Sequence, residues 1–121
     1  MTNKETELLK KDIKDYLNYE EDFWNYIKDK IKIIKNPYVD YDLKMHYYGV
    51  WYDYNQDKEL TKLIICIPDI VDLKTSLIAI HEFRHAHDIY IGTSLDDSKL
   101  EEIATLEEKN YLKKKLRCNI S

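Results

Sequence analysis

From Leu77 to Gly92 the chain reads LIAIHEFRHAHDIYIG: three histidines and a glutamate set into an otherwise apolar run. No other segment constrains the fold as tightly. Leu77, Ile78, Ile80 and Phe83 demand burial, and imidazole and carboxylate groups buried beside them demand partners. Within the run, His81-Glu82-Phe83-Arg84-His85 is an H-E-x-x-H pattern. On a helix, residues four apart share a face, with Cβ atoms about 5–6 Å apart. Two imidazole nitrogens can then meet on one Zn²⁺ at about 2.0–2.1 Å. Glu82 is one step around the helix, offset from that pair, but it can reach a water held by the ion and take its proton. The plainer alternative is a pair of surface histidines on an amphipathic helix.

A catalytic zinc usually takes three protein ligands and keeps one position open. No histidine follows His87, so the third ligand must be a carboxylate. Glu101 and Glu102 lie in SKLEEIATLEEKNYL. At about 100° per residue, Glu101 flanks the apolar face formed by Leu100, Ile103 and Ala104, whereas Glu102 points nearly opposite. Glu101 is the first choice. Glu107 and Glu108 fall on the same side as outer partners or alternatives, and a solvated acidic face paired with lysines is the bland alternative for the whole cluster. Asp88, three residues after His85, is placed either to orient a ligating histidine or to sit on the surface. His87 is expected to point away from the pair into solvent, and His46 to be structural. Tyr90, Tyr111 and Arg117 could each stabilise an oxyanion, and nothing in the sequence chooses among them.

The 121 residues suit one compact domain over 1–121. Periodicity predicts one long helix over roughly Lys4 to Lys35, with Leu9, Ile13, Leu17, Trp24, Ile27, Ile31 and Ile34 near helical spacing and Asn36-Pro37 as its stop. The Tyr-, Trp- and Val-rich stretch from Tyr41 to Tyr54 and the run LTKLIICIP read as two strands of a hairpin or small sheet around a polar turn at Asn55–Glu59. A helix from Leu73 to Ile91 follows, capped by Asp69 or Asp72 and stopped by Gly92. A last helix runs from near Asp97 to about Leu116. The order is α-β-β-α-α, an α+β fold.

The formal net charge of −4 argues against a nucleic-acid partner held by phosphate neutralisation. The N-terminal MTNKETELLKKD lacks a signal-peptide core, and no apolar run reaches membrane-spanning length, so a cytoplasmic protein with no membrane partner is expected, with export lacking a signal peptide as the alternative. Cys66 reads as a buried free thiol, and nothing requires a disulfide to Cys118.

The segments HEFRH and EEIAT together resemble the zincin metallopeptidases, specifically the small members of the glutamate branch, the minigluzincins. The resemblance covers roughly Leu43 to Leu116. It implies a minimal core of a small sheet with an edge strand, the H-E-x-x-H helix and a glutamate-bearing helix. By that likeness LTKLIICIP is the edge strand, along which an extended peptide adds through main-chain hydrogen bonds. His81, His85 and Glu101 become the Zn²⁺ ligands and Glu82 the general base. The branch places an aspartate four residues after its glutamate, where this chain has Thr105, and Asp88 is the substitute partner. GTSLD, Gly92 to Asp96, echoes a G-T-x-x-D element of another zincin group and makes Asp96 the second choice of ligand; otherwise Asp96 is a helix cap. The implied function is a zinc-dependent peptidase acting on a peptide or protein. The alternatives are an inert, metal-stabilised interaction protein and a viral or mobile-element protein acting by surface mimicry.

Overall fold

The computed structural model describes the backbone of residues 3–34, 48–68, 73–93 and 95–120, and the side chains of 10–34, 48–68, 73–93 and 95–116. The order is α1 (Asn3–Leu17), α2 (Glu21–Ile27), β1 (Ile31–Ile34), β2 (Gly49–Tyr54), β3 (Leu60–Pro68), α3 (Leu73–Ile91) and α4 (Asp97–Ile120).

The single helix expected over Lys4–Lys35 is instead two helices and a strand. Asn18 adopts the left-handed conformation (φ 51°), and its N–H reaches back to the Lys14 carbonyl at 3.1 Å, which ends α1. Asparagine is one of the few residues that tolerates that conformation. The Glu20 carbonyl then accepts from the Phe23 and Trp24 amides at 3.1 and 3.4 Å and starts α2. After α2, the isoleucine-rich IKII extends and pairs in parallel with β3, Ile31 opposite Ile65 and Ile34 opposite Pro68. Ile27, Ile31 and Ile34 satisfy helical spacing, but a short β-branched run fits a strand equally well, and the open ladder of β3 decides the outcome.

The sheet order is β1-β3-β2. β2 runs antiparallel to β3, from Gly49 opposite Cys66 to Tyr54 opposite Leu60, with an irregularity between Asp53 and Tyr54. In the turn between them, Asn55 Oδ1 accepts the amides of Asp57 and Glu59, both at 2.9 Å, and Lys58 takes a positive φ of 62°. LTKLIICIP is therefore the central strand, not the edge strand implied by the resemblance. Leu63, Ile65, Cys66, Ile67 and Pro68 are buried along it, and a strand pairs with it on either side. Among the described residues β2 has β3 as its one partner, and β2 takes the edge position.

One face of the sheet is covered by α3, whose Ala79, Ile80, Phe83 and Ala86 are buried against Leu63, Ile65, Ile67, Phe23 and Ile27. The two alanines let the helix axis come close to the strands. α1 adds Ile13 and Leu17, and α4 adds Tyr111 to this core. The Tyr111 hydroxyl donates to Asp12 Oδ2 at 2.9 Å, and Lys115 Nζ lies 2.6 Å from the same oxygen, so one aspartate ties α4 to α1. Gly92 (φ 71°) ends α3, with its amide on the Ile89 carbonyl and the Thr93 amide on that of Asp88. Asp69 and Asp72, the expected caps of α3, and His46 lie outside the described residues. Among the described residues no helix is long and apolar enough to cross a membrane.

Candidate metal centre

His81 and His85 stand one turn apart on the side of α3 that faces α4, because Ile80 and Phe83 hold the neighbouring directions in the core. Their rings meet edge to face with centroids 4.7 Å apart, and their Nε2 atoms are separated by 3.0 Å. Glu101, on the second turn of α4, spans both: Oε1 is 2.8 Å from His81 Nε2 and Oε2 is 2.8 Å from His85 Nε2. The three first-choice ligand residues thus converge on one point, their ligand atoms all within 4.8 Å of one another.

The chemistry of this trio fits a divalent cation. With both imidazoles neutral and protonated at Nδ1, two lone pairs and a carboxylate face each other. With both Nε2 atoms protonated, each N–H can reach Glu101, but the two N–H groups then confront one another at 3.0 Å. A cation between them takes all three as lone-pair donors. Donors tetrahedral about zinc at 2.0–2.1 Å stand about 3.3–3.4 Å apart, so the trio need open by only a few tenths of an ångström. Two imidazoles and one carboxylate suit zinc among the common divalent ions.

Glu108 lies two turns beyond Glu101 on α4, and its Oε1 is 2.6 Å from His81 Nδ1. The two glutamates therefore bracket one imidazole, one at each ring nitrogen. The Glu108 contact is short but not aligned as a hydrogen bond, so its influence on the ring is electrostatic. Glu108, not Asp88, is the carboxylate that lies against the outer nitrogen of His81. Asp88 is buried and faces Arg84 Nε at 3.5 Å, and Arg84 also approaches Glu107 at 3.8 Å.

Glu82 sits between α3 and the start of β2, where a Cβ placed on Gly49 would lie 3.8 Å from Glu82 Oε2. Burial pushes its carboxyl up to about 7; His81 opposes the rise, and Glu101 and Glu108 add to it. A carboxyl near neutrality can both accept and return a proton. Beside it, Val50, Tyr52, Ile89, Leu100, His85, Asp97 and Glu101 line a cleft of about 240 Å³. Val50 and Tyr52 escaped the sequence reading, since only the sheet order shows that their strand borders the cleft.

The remaining candidates have other roles. Asp96 caps α4, its Oδ1 accepting the Lys99 amide at 2.8 Å, and it is not drawn into the trio. Glu102 is exposed and pairs with Lys99 at 3.6 Å. His87 does not reach into solvent as expected: it stacks on Tyr19 with centroids 4.0 Å apart, meets Phe23 edge-on and places Nε2 3.0 Å from Glu20. Tyr111 is committed to Asp12, and Tyr90 packs among Phe23 and Tyr26. The side chains of Arg117 and Cys118 lie outside the described ones. Cys66 is a fully buried free thiol whose pKa burial raises.

Comparison of the chain with protein-family models, with curated proteins and with solved structures found no match.

Proposed function

We propose that this protein is a zincin-like, zinc-dependent peptidase. The observation that carries this reading is the meeting of His81, His85 and Glu101 from two helices, with a half-buried carboxyl at Glu82 in the same cleft. His81, His85 and Glu101 would hold the ion, and the Glu108 carboxylate would stand behind His81 at Nδ1. Zinc so held supplies Lewis acidity, polarising a carbonyl and bringing the pKa of water toward about 7.

The residues of the chain do the rest. Glu82 takes the proton from the attacking water on a carboxylate oxygen and returns it to the leaving amine, a transfer for which a carboxyl near neutrality is suited. An extended peptide lies along the edge of β2, where main-chain hydrogen bonds hold it and the cleft lined by Val50, Tyr52 and Leu100 receives one of its side chains. Tyr52 is half exposed there and offers an aromatic wall.

The test combines elemental analysis of the purified protein with a peptide library challenged by the wild type and by Glu82→Gln. Stoichiometric zinc in both, with cleavage by the wild type alone, is expected. Tightly bound zinc with no cleavage by either would favour the inert metal-stabilised binding protein. Absence of any bound divalent ion would remove the proposal altogether.

A further inference from the structure

The opposite side of α3 carries a second concavity. Phe83 lies about 160–200° around the helix from His81 and His85, so it faces away from the trio. With Trp24, Ile27 and Ile31 it forms the apolar wall of a cavity of about 610 Å³ between α1, α2 and β1. The rim is cationic: Lys10, Lys11 and Lys14 come from α1 and Lys28 from the end of α2, against a single carboxylate, Asp15. No residue of this cavity lines the cleft at the metal centre.

The charge pattern opposes that of the whole chain, which is net acidic at −4. Lys10 and Lys14 stand at i,i+4 and Lys11 and Lys14 at i,i+3, spacings at which like charges repel and weaken a helix. Among the described residues, neutralisation of Lys11, Lys14 and Lys28 is thin. Lys14 Nζ is 4.0 Å from an exposed Glu21 and 5.8 Å from the Trp24 ring centroid. Among the described residues neither Lys11 nor Lys28 has an ion-pair partner. The volume lies within the range of small-molecule sites, about 300–1,000 Å³. Flexible lysines supply mobile point charges rather than a rigid fork, which suits a single carboxylate head better than bidentate clamping.

We propose that this cavity binds a small organic anion with an apolar body, a carboxylate on a medium-length hydrocarbon chain. The body lies against Trp24, Ile31 and Phe83, and the head among Lys11, Lys14 and Lys28. The site is independent of the peptidase reading and stands or falls without it.

The experiment titrates the full chain with decanoate below its micelle concentration, followed by tryptophan fluorescence and calorimetry. Decanol and decyltrimethylammonium serve as neutral and cationic counterparts. A Lys11→Glu/Lys28→Glu variant, both positions exposed, tests the rim; Trp24→Phe assigns the optical signal, and circular dichroism verifies folding. Saturable one-to-one binding of decanoate is expected, weakened about tenfold by the double reversal and by added salt, with both counterparts weaker. The proposal is overturned by absence of saturable binding, by equal binding of decanol, or by indifference to the reversal. An acidic peptide with an aromatic anchor that binds more tightly than decanoate would also overturn it, reassigning the face to protein docking.

Discussion

Glu82→Gln should stabilise the metal-free protein at alkaline pH. In the folded chain burial raises the Glu82 carboxyl from 4.5 to about 7, with Glu101 and Glu108 adding to the rise and His81 resisting it. The unfolded chain has no such environment. Below pH 4.5 the group is protonated in both states and contributes no difference. Between 4.5 and 7 the folded protein binds more proton than the unfolded one, so stability falls as pH rises, and above 7 the full penalty applies. Holding the ionised form in a site that raises its pKa by this amount corresponds to ~3.4 kcal/mol as an upper bound. Solvent reaches part of the side chain and screens the penalty, which leaves about 1–2 kcal/mol. Glutamine keeps the shape of the protonated acid and never ionises. Urea denaturation of both proteins in chelator, at pH 4.5 and pH 8, reads the difference directly: the variant should gain about 1–2 kcal/mol at pH 8 and little at pH 4.5. A wild type as stable as the variant at pH 8, or more so, would refute the electrostatic account of this carboxylate.

His81→Ala or His85→Ala should lower zinc affinity at least 100-fold in competition with a chromogenic chelator, and Glu108→Gln about 10-fold, since Glu108 only stands behind a ligand. Tyr111→Phe removes the hydroxyl that donates to Asp12 and should cost about 1–2 kcal/mol in thermal unfolding. Asn18→Gly should leave stability unchanged or raise it slightly, whereas Asn18→Val should lose about 1–2 kcal/mol, because a β-branched side chain resists the left-handed turn between α1 and α2. Phe23→Ala, at a site with no exposure, should lose about 3–5 kcal/mol.

How much of this was legible in the sequence differs by element. The helix over Leu73–Ile91 and its stop at Gly92 were, because apolar spacing and a glycine terminator act locally. The convergence of His81, His85 and Glu101 was legible for a related reason: helical phase fixes which side of α3 and α4 each residue occupies. The N-terminal third was not. Ile31 and Ile34 obey helical spacing, and only the distant strand at Ile65–Pro68 makes them extend. The position of LTKLIICIP inside the sheet was hidden for that same cause, since a strand cannot announce its number of neighbours. His87 was misjudged because its stacking partner, Tyr19, comes from a loop created by the unforeseen turn at Asn18. Glu108 was visible as a residue on the right side of α4, but its claim on His81 over that of Asp88 depends on how α3 and α4 slide against each other.

The parallel pairing of β1 with β3 also bears on the order in which the molecule assembles. β2 and β3 are joined by a tight turn and can zip together from neighbouring residues, and α3 follows close behind them in the chain. β1 must instead be recruited from far upstream, past an intervening strand, to a groove that exists only once β3 has taken shape. The entropy of that long closure falls late and on a single four-residue ribbon. Mutations in Ile31–Ile34 should therefore accelerate unfolding while leaving the folding rate nearly untouched, marking this ribbon as the last piece on and the first piece off.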